Sequence, residues 1–113
     1  MSPTTTALLI CAGEGLLIIA LCLPLALQKI KPNGLYGFRT PKTLSNEKIW
    51  YEANRIAGID LSIAGVLTIF TAIALFPLSA FLTDKQTVTV MVIVTIGSLA
   101  GAVIHSFFAL RKL

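Results

Sequence analysis

Three ionisable side chains, Glu14, Asp60 and His105, stand in stretches that are otherwise almost wholly apolar. A carboxylate and an imidazole can share or pass a proton near neutral pH, where histidine titrates. Such groups are costly in hydrocarbon, so they face a bundle interior or a polar path, and they mark sites. No larger constellation accompanies them. The chain has one histidine and two cysteines, with no nucleophile and base at matching depth and no spacing suited to a metal. Gly34 and Gly37 lack the following Lys-Ser/Thr of a phosphate loop. The expectation is a protein that is not an enzyme, with no catalytic residue, metal or cofactor.

The elements that position these groups are apolar runs. The 113 residues are 56% hydrophobic and 12% charged, against about 25% charged in soluble domains. Mean hydropathy is +0.87. Runs at about 7–27, 59–82 and 88–110 are each long enough to cross roughly 30 Å of hydrocarbon at about 1.5 Å per residue. Residues 1–6 carry no Lys or Arg, so the first run reads as an uncleaved helix. The valine-rich start of the third run could mimic a strand, but its length excludes one. The fold class is an all-α integral membrane protein of three transmembrane helices, a single domain over 1–113 with a motif loop at 28–58. Thr83 to Gln86 reads as a short polar turn, making helices two and three antiparallel neighbours.

Charge gives an orientation. Lys29, Lys31, Arg39, Lys42, Lys48, Arg55, Arg111 and Lys112 lie on one side, against Lys85 alone on the other. Short loops dense in Lys and Arg stay cytoplasmic, which puts the N-terminus out and the C-terminus in. The net charge of +4 is thus a topology signal and not a nucleic-acid surface. Cys11 and Cys22, about 16 Å apart on a helix, read as packing residues beyond disulfide reach. Gly97 with Gly101, and Gly58 with Ser62 and Gly65, permit close helix contact, either within the chain or in a homo-oligomer. Packing within the chain is the more economical choice.

The loop is the most specific part of the sequence. Lys31-Pro32-Asn33-Gly34 signals a turn, and Pro41 forces extended backbone at Thr40. Ser45 reads as an N-cap for an amphipathic helix at about 46–57. Its apolar face is Ile49, Trp50, Ala53, Ile56 and Ala57, opposite Lys48, Glu52 and Arg55, with a bend expected at Gly58. Tyr36, Trp50 and Tyr51 fit either interfacial anchors or a binding surface. Asp60 is one turn inside the second span, and His105 is roughly 7–8 Å from the end of the third. At that depth Asp60 is expected to pair with Arg39 or Arg55, with His105 close by, stapling the loop to the bundle. Glu14 lies deeper, level with Thr68, Thr71, Thr95 and Ser98. It reads as a protonated group bonded to those hydroxyls, as a ligand or proton site, or as a dimer contact.

The stretch from Asn33 to Ser45 (NGLYGFRTPKTLS), followed by Glu47, Trp50, Asn54 and Gly58, resembles the SdpI-type family of small bacterial membrane proteins. The resemblance runs from span one through span two and is sharpest from Asn33 to Gly58. It implies a membrane immunity protein of the bacterial cell membrane that neutralises a secreted peptide toxin. In the signalling version it also holds a cytoplasmic repressor at the membrane. The positions it implies are Asn33, Gly37, Arg39, Thr40, Pro41, Thr43, Leu44, Ser45, Trp50, Asn54 and Gly58; Tyr36 and Arg55 join them as loop binding residues. From other classes come two further readings: a small transporter or permeation subunit using Glu14 and His105, and a structural membrane accessory.

Overall fold

The computed structural model describes residues 1–113. The chain is all-helical: α1 (Pro3–Ala26), α2 (Pro41–Leu44), α3 (Glu47–Leu78) and α4 (Asp84–Arg111). Three of these are long and apolar enough to cross a membrane, as expected. Their outward faces stay apolar: Phe70, Phe76, Ile93 and Ile96 are all exposed, which suits lipid and not water.

Helix boundaries follow from capping chemistry. Pro3 occupies the first turn of α1, where a missing N–H is harmless, and the Ser2 hydroxyl accepts from the Thr5 amide at 3.1 Å. The helix therefore begins before the apolar run does. It ends with Gln28 in the left-handed region (φ 59°). The Gln28 and Lys29 amides turn back to the carbonyls of Leu25 and Pro24, at 3.1 and 3.0 Å, in a Schellman arrangement. Thr83 to Gln86 is not the turn that spacing suggests. Thr83 and Gln86 bond each other's backbone in a capping box at 3.0 and 3.1 Å, so these residues open α4. Residues 79–82 make the connection instead.

Helix α3 has 32 residues, about 48 Å at 1.5 Å each, well over the hydrocarbon thickness. Its first three turns are the expected amphipathic helix, and the helix runs unbroken through Gly58, from Glu47 to Leu78. Nor is Ser45 its cap. Asn46, in extended backbone, accepts from the Lys48 and Ile49 amides at 2.7 and 3.3 Å. Ser45 instead closes α2, its hydroxyl donating to the Lys42 carbonyl at 2.6 Å.

Helix α3 is central, packed most extensively on α1 and then on α4. The α1–α3 contact is a backbone approach through glycines. A Cβ added at Gly58 would lie 2.4 Å from the Ala26 nitrogen, and one at Gly65 would lie 2.9 Å from the Gly15 carbonyl. Gly58 is thus a packing residue. The Gly97–Gly101 pair does not pack within the chain: a Cβ at either position meets nothing within 4 Å. The close backbone contact is between α1 and α3, and α4 packs beside them with Met91, Ala102 and Ser106 buried. At the turn end, Leu8, Ala72, Leu75 and Met91 form the apolar core, and the Thr4 hydroxyl donates to the Asp84 carboxylate. That bond joins the start of α1 to the start of α4, so both lie at one end and the motif loop lies at the other.

Candidate functional site

The motif loop is folded into a cap over the loop end of the bundle. Asn33 builds the first turn: its side-chain oxygen accepts from the Leu35 and Tyr36 amides at 2.8 and 2.9 Å, and its amide donates to the Lys31 carbonyl at 2.7 Å. Gly37 follows with φ +121°, where a Cβ would stand 3.0 Å from both Asn54 Oδ1 and Trp50 Cη2. Only glycine suits both that backbone and that space. Thr40 then caps α2 reciprocally with Thr43, whose side chain is wholly buried. Pro41 sits in the first turn of this short helix.

Two buried side chains of α3 hold the cap. Trp50, with no exposed surface, donates from Nε1 to the Ile30 carbonyl at 2.9 Å. Asn54 accepts from the Phe38 amide at 2.6 Å and donates to the Phe38 and Trp50 carbonyls at 3.3 and 3.0 Å. Trp50 is therefore an internal latch and not an interfacial anchor. The cap also reaches α4. Lys42 Nζ donates to the Leu110 carbonyl at 2.8 Å, where a cation suits the negative end of the helix. The Phe38 ring meets Phe107 edge-on at 4.9 Å.

Arg39 and Arg55 do not pair with Asp60. Arg39 Nε donates to the Asn33 carbonyl at 3.0 Å and the side chain stays on the surface. Arg55 binds Glu52 within its own helix, with Nε to Oε2 at 3.2 Å. Hydrogen bonding to Arg55, aided by its charge, holds the Glu52 carboxyl below its ordinary range; the same contact raises Arg55. Both side chains are more than one third exposed, so the pair adds little to stability. Both arginines are engaged locally, and Asp60 turns to α4 instead. Its Oδ2 meets His105 Nδ1 at 2.7 Å and accepts from the Ser106 hydroxyl at 2.9 Å. The Asp60 side chain is 14% exposed and that of His105 is 67% exposed, so the imidazole covers the carboxylate from the lipid side.

Glu14 does not meet its expected partners. Thr68, Thr71 and Ser98 bond carbonyls of their own helices at 3.0, 2.7 and 3.2 Å, the usual recourse of a hydroxyl in apolar surroundings. The buried hydroxyls of Ser62 and Thr95 have no partner, and Glu14 bonds none of them. The mid-depth polar residues therefore form no common network with His105.

Under the cap lies an apolar cleft of about 270 Å³, walled by all three spanning helices and roofed by Tyr36, Gly37 and Phe38. The structure thus brings together Asn33, Tyr36, Gly37, Arg39, Thr40, Pro41, Thr43, Ser45, Trp50 and Asn54 in one cap. Asp60 and His105 sit at its α4 side, and Glu14 stands apart. Sequence reading missed Ser106, Lys42, Phe38 and Phe107. Adjacency to His105 marks Ser106, but nothing in a single sequence marks Phe107 among many apolar neighbours.

Residues 29–106 match the SdpI/YfhL protein family. The match leaves out the first span and takes in most of the third, where sequence reading expected spans one and two. The chain is similar to the uncharacterized protein YfhL of Bacillus subtilis (strain 168), with 34% identity over 55 residues, 49% of this chain and 50% of that protein. The aligned part thus spans about half the length of that relative. No solved structure gives a significant match.

Proposed function

The chain belongs to the SdpI/YfhL protein family, and from that premise we propose that it is a multi-pass immunity protein of the bacterial cell membrane. Its N-terminus is out and its C-terminus in, because eight of its nine cations lie at the loop end. It protects against a secreted peptide toxin, and its cap is the surface that a cytoplasmic repressor docks on. The observation that supports this reading is what remains after the motif is explained structurally. Asn33, Gly37, Thr40, Thr43, Trp50, Asn54 and Gly58 each have an internal job. Arg39 has one hydrogen bond to hold it in place and an otherwise exposed guanidinium. A cation fixed on a folded platform is suited to recognising a carboxylate on another protein. Helix α3 runs without interruption from the opposite side of the membrane to Trp50 and Asn54, so a toxin that displaces it outside would move the latch of the cap inside.

The test is survival of a sensitive bacterium expressing the chain, challenged with secreted peptide toxin, beside an Arg39→Ala variant. Protection by the wild type and its loss in the variant, with equal amounts of both in the membrane fraction, is the expected result. Equal protection by both would remove Arg39 from the mechanism, and protection by neither would refute the immunity reading.

A further inference from the structure

Two apolar hollows share a wall at the loop end. The cleft under Phe38, about 270 Å³, has Leu21, Cys22, Leu61, Val103 and Phe107 among its lining. A groove of about 350 Å³ on the neighbouring face of α4 is lined by Val103, Ile104, Phe107, Phe108 and Arg111. Val103 and Phe107 belong to both, so the hollows lie on either side of one half-exposed ridge. An apolar hollow offers water no hydrogen-bond partners, and its surroundings in a bilayer are acyl chains. At the mouth of the groove, Arg111 lies 5.4 Å over the Phe108 ring. Neither Arg111 nor Lys112 has a carboxylate partner: the chain's two ion pairs are Arg55–Glu52 and His105–Asp60.

We infer that this end of the bundle holds an anionic diacyl phospholipid, with one acyl chain in the cleft beneath Phe38, the other across the Phe107 ridge, and the phosphate at Arg111. Charge selects this occupant over a second copy of the chain. A copy in the same orientation would bring like-charged ends together, whereas an anionic headgroup neutralises cations that have no internal partner. The lipid would then tie the cap to α4, because Phe38, which roofs the cleft, also meets Phe107 edge-on. This site does not depend on the immunity reading, and either can fail alone.

Trp50 is the only tryptophan and reports on the cleft. Its Cη2 would lie 3.0 Å from a Cβ at Gly37, which lines the cleft. The full chain is reconstituted in mixed phosphatidylglycerol and phosphatidylcholine vesicles, with brominated acyl chains on one lipid or the other. Brominated phosphatidylglycerol is expected to quench Trp50 about fivefold more effectively per mole, the effect of one cation on anionic-lipid attraction. Val103→Phe, which narrows the cleft, should remove the excess quenching. Arg111→Gln, at an exposed position, should leave quenching but abolish the fivefold preference. Equal quenching by the two lipids, or a preference that survives Arg111→Gln, would overturn the proposal. Quenching set by the protein-to-lipid ratio and not by the anionic fraction would place a second copy there instead, and would equally overturn it.

Discussion

Replacing Asn54 with leucine tests whether the cap is held from α3. Leucine keeps the branched heavy-atom skeleton of asparagine at a position 2% exposed, so the side chain's shape is retained while the hydrogen bonds disappear. Two of them reach across to Phe38, one accepting from its amide at 2.6 Å and one donating to its carbonyl at 3.3 Å. Each such bond contributes about 1 kcal/mol net, and a polar group left unpaired adds a further penalty of about 1 kcal/mol or more. Opening of the cap should therefore become easier by about 2–3 kcal/mol, which raises its open population about 30- to 150-fold. Amide hydrogen exchange of residues 36–43 in lipid nanodiscs reads this directly, with amides in the middle of α3 as the unchanged internal reference. Trp50 emission should shift red in parallel, because loosening the cap exposes the bond from Trp50 to Ile30. Asn54→Asp keeps an acceptor for the Phe38 amide and loses the donors, so it should fall between wild type and leucine. Unchanged exchange in the leucine variant would refute the assignment of Asn54 as the latch.

Two glycine substitutions should behave oppositely. Gly58→Ala places a Cβ 2.4 Å from the α1 backbone and should lower stability in detergent by about 1–3 kcal/mol, the usual cost of overpacking; Gly97→Ala, facing open space, should leave the melting temperature unchanged. For the intramembrane pair, a double-mutant cycle of Asp60→Asn and His105→Ala should give a coupling of about 1 kcal/mol. Additive single effects would show that the 2.7 Å contact contributes nothing.

The linear sequence determined the class of this protein, because the signals involved are local. Three apolar runs of spanning length, eight cations at one end and the turn at Asn33-Gly34 need no tertiary contact to be read. Pro41 required extended backbone at Thr40, and that residue has φ −133° and ψ 166°. Which cap wins at Ser45 or Asn46 was closer, since both residue types cap helices and only the extended backbone at Asn46 decides. Tertiary structure alone decided the partners. Asp60 lay within sequence-based reach of two arginines, yet Arg39 and Arg55 found acceptors nearer to hand, in Asn33 and Glu52. The carboxylate was left to the face of α4 that carries His105 and Ser106. Gly58 and Gly65 looked like Gly97 and Gly101 in sequence, but the rotation of each helix about its own axis set the first pair against α1 and the second toward open space. Spacing along a helix says which residues share a face; only packing against the neighbouring helices says where that face points.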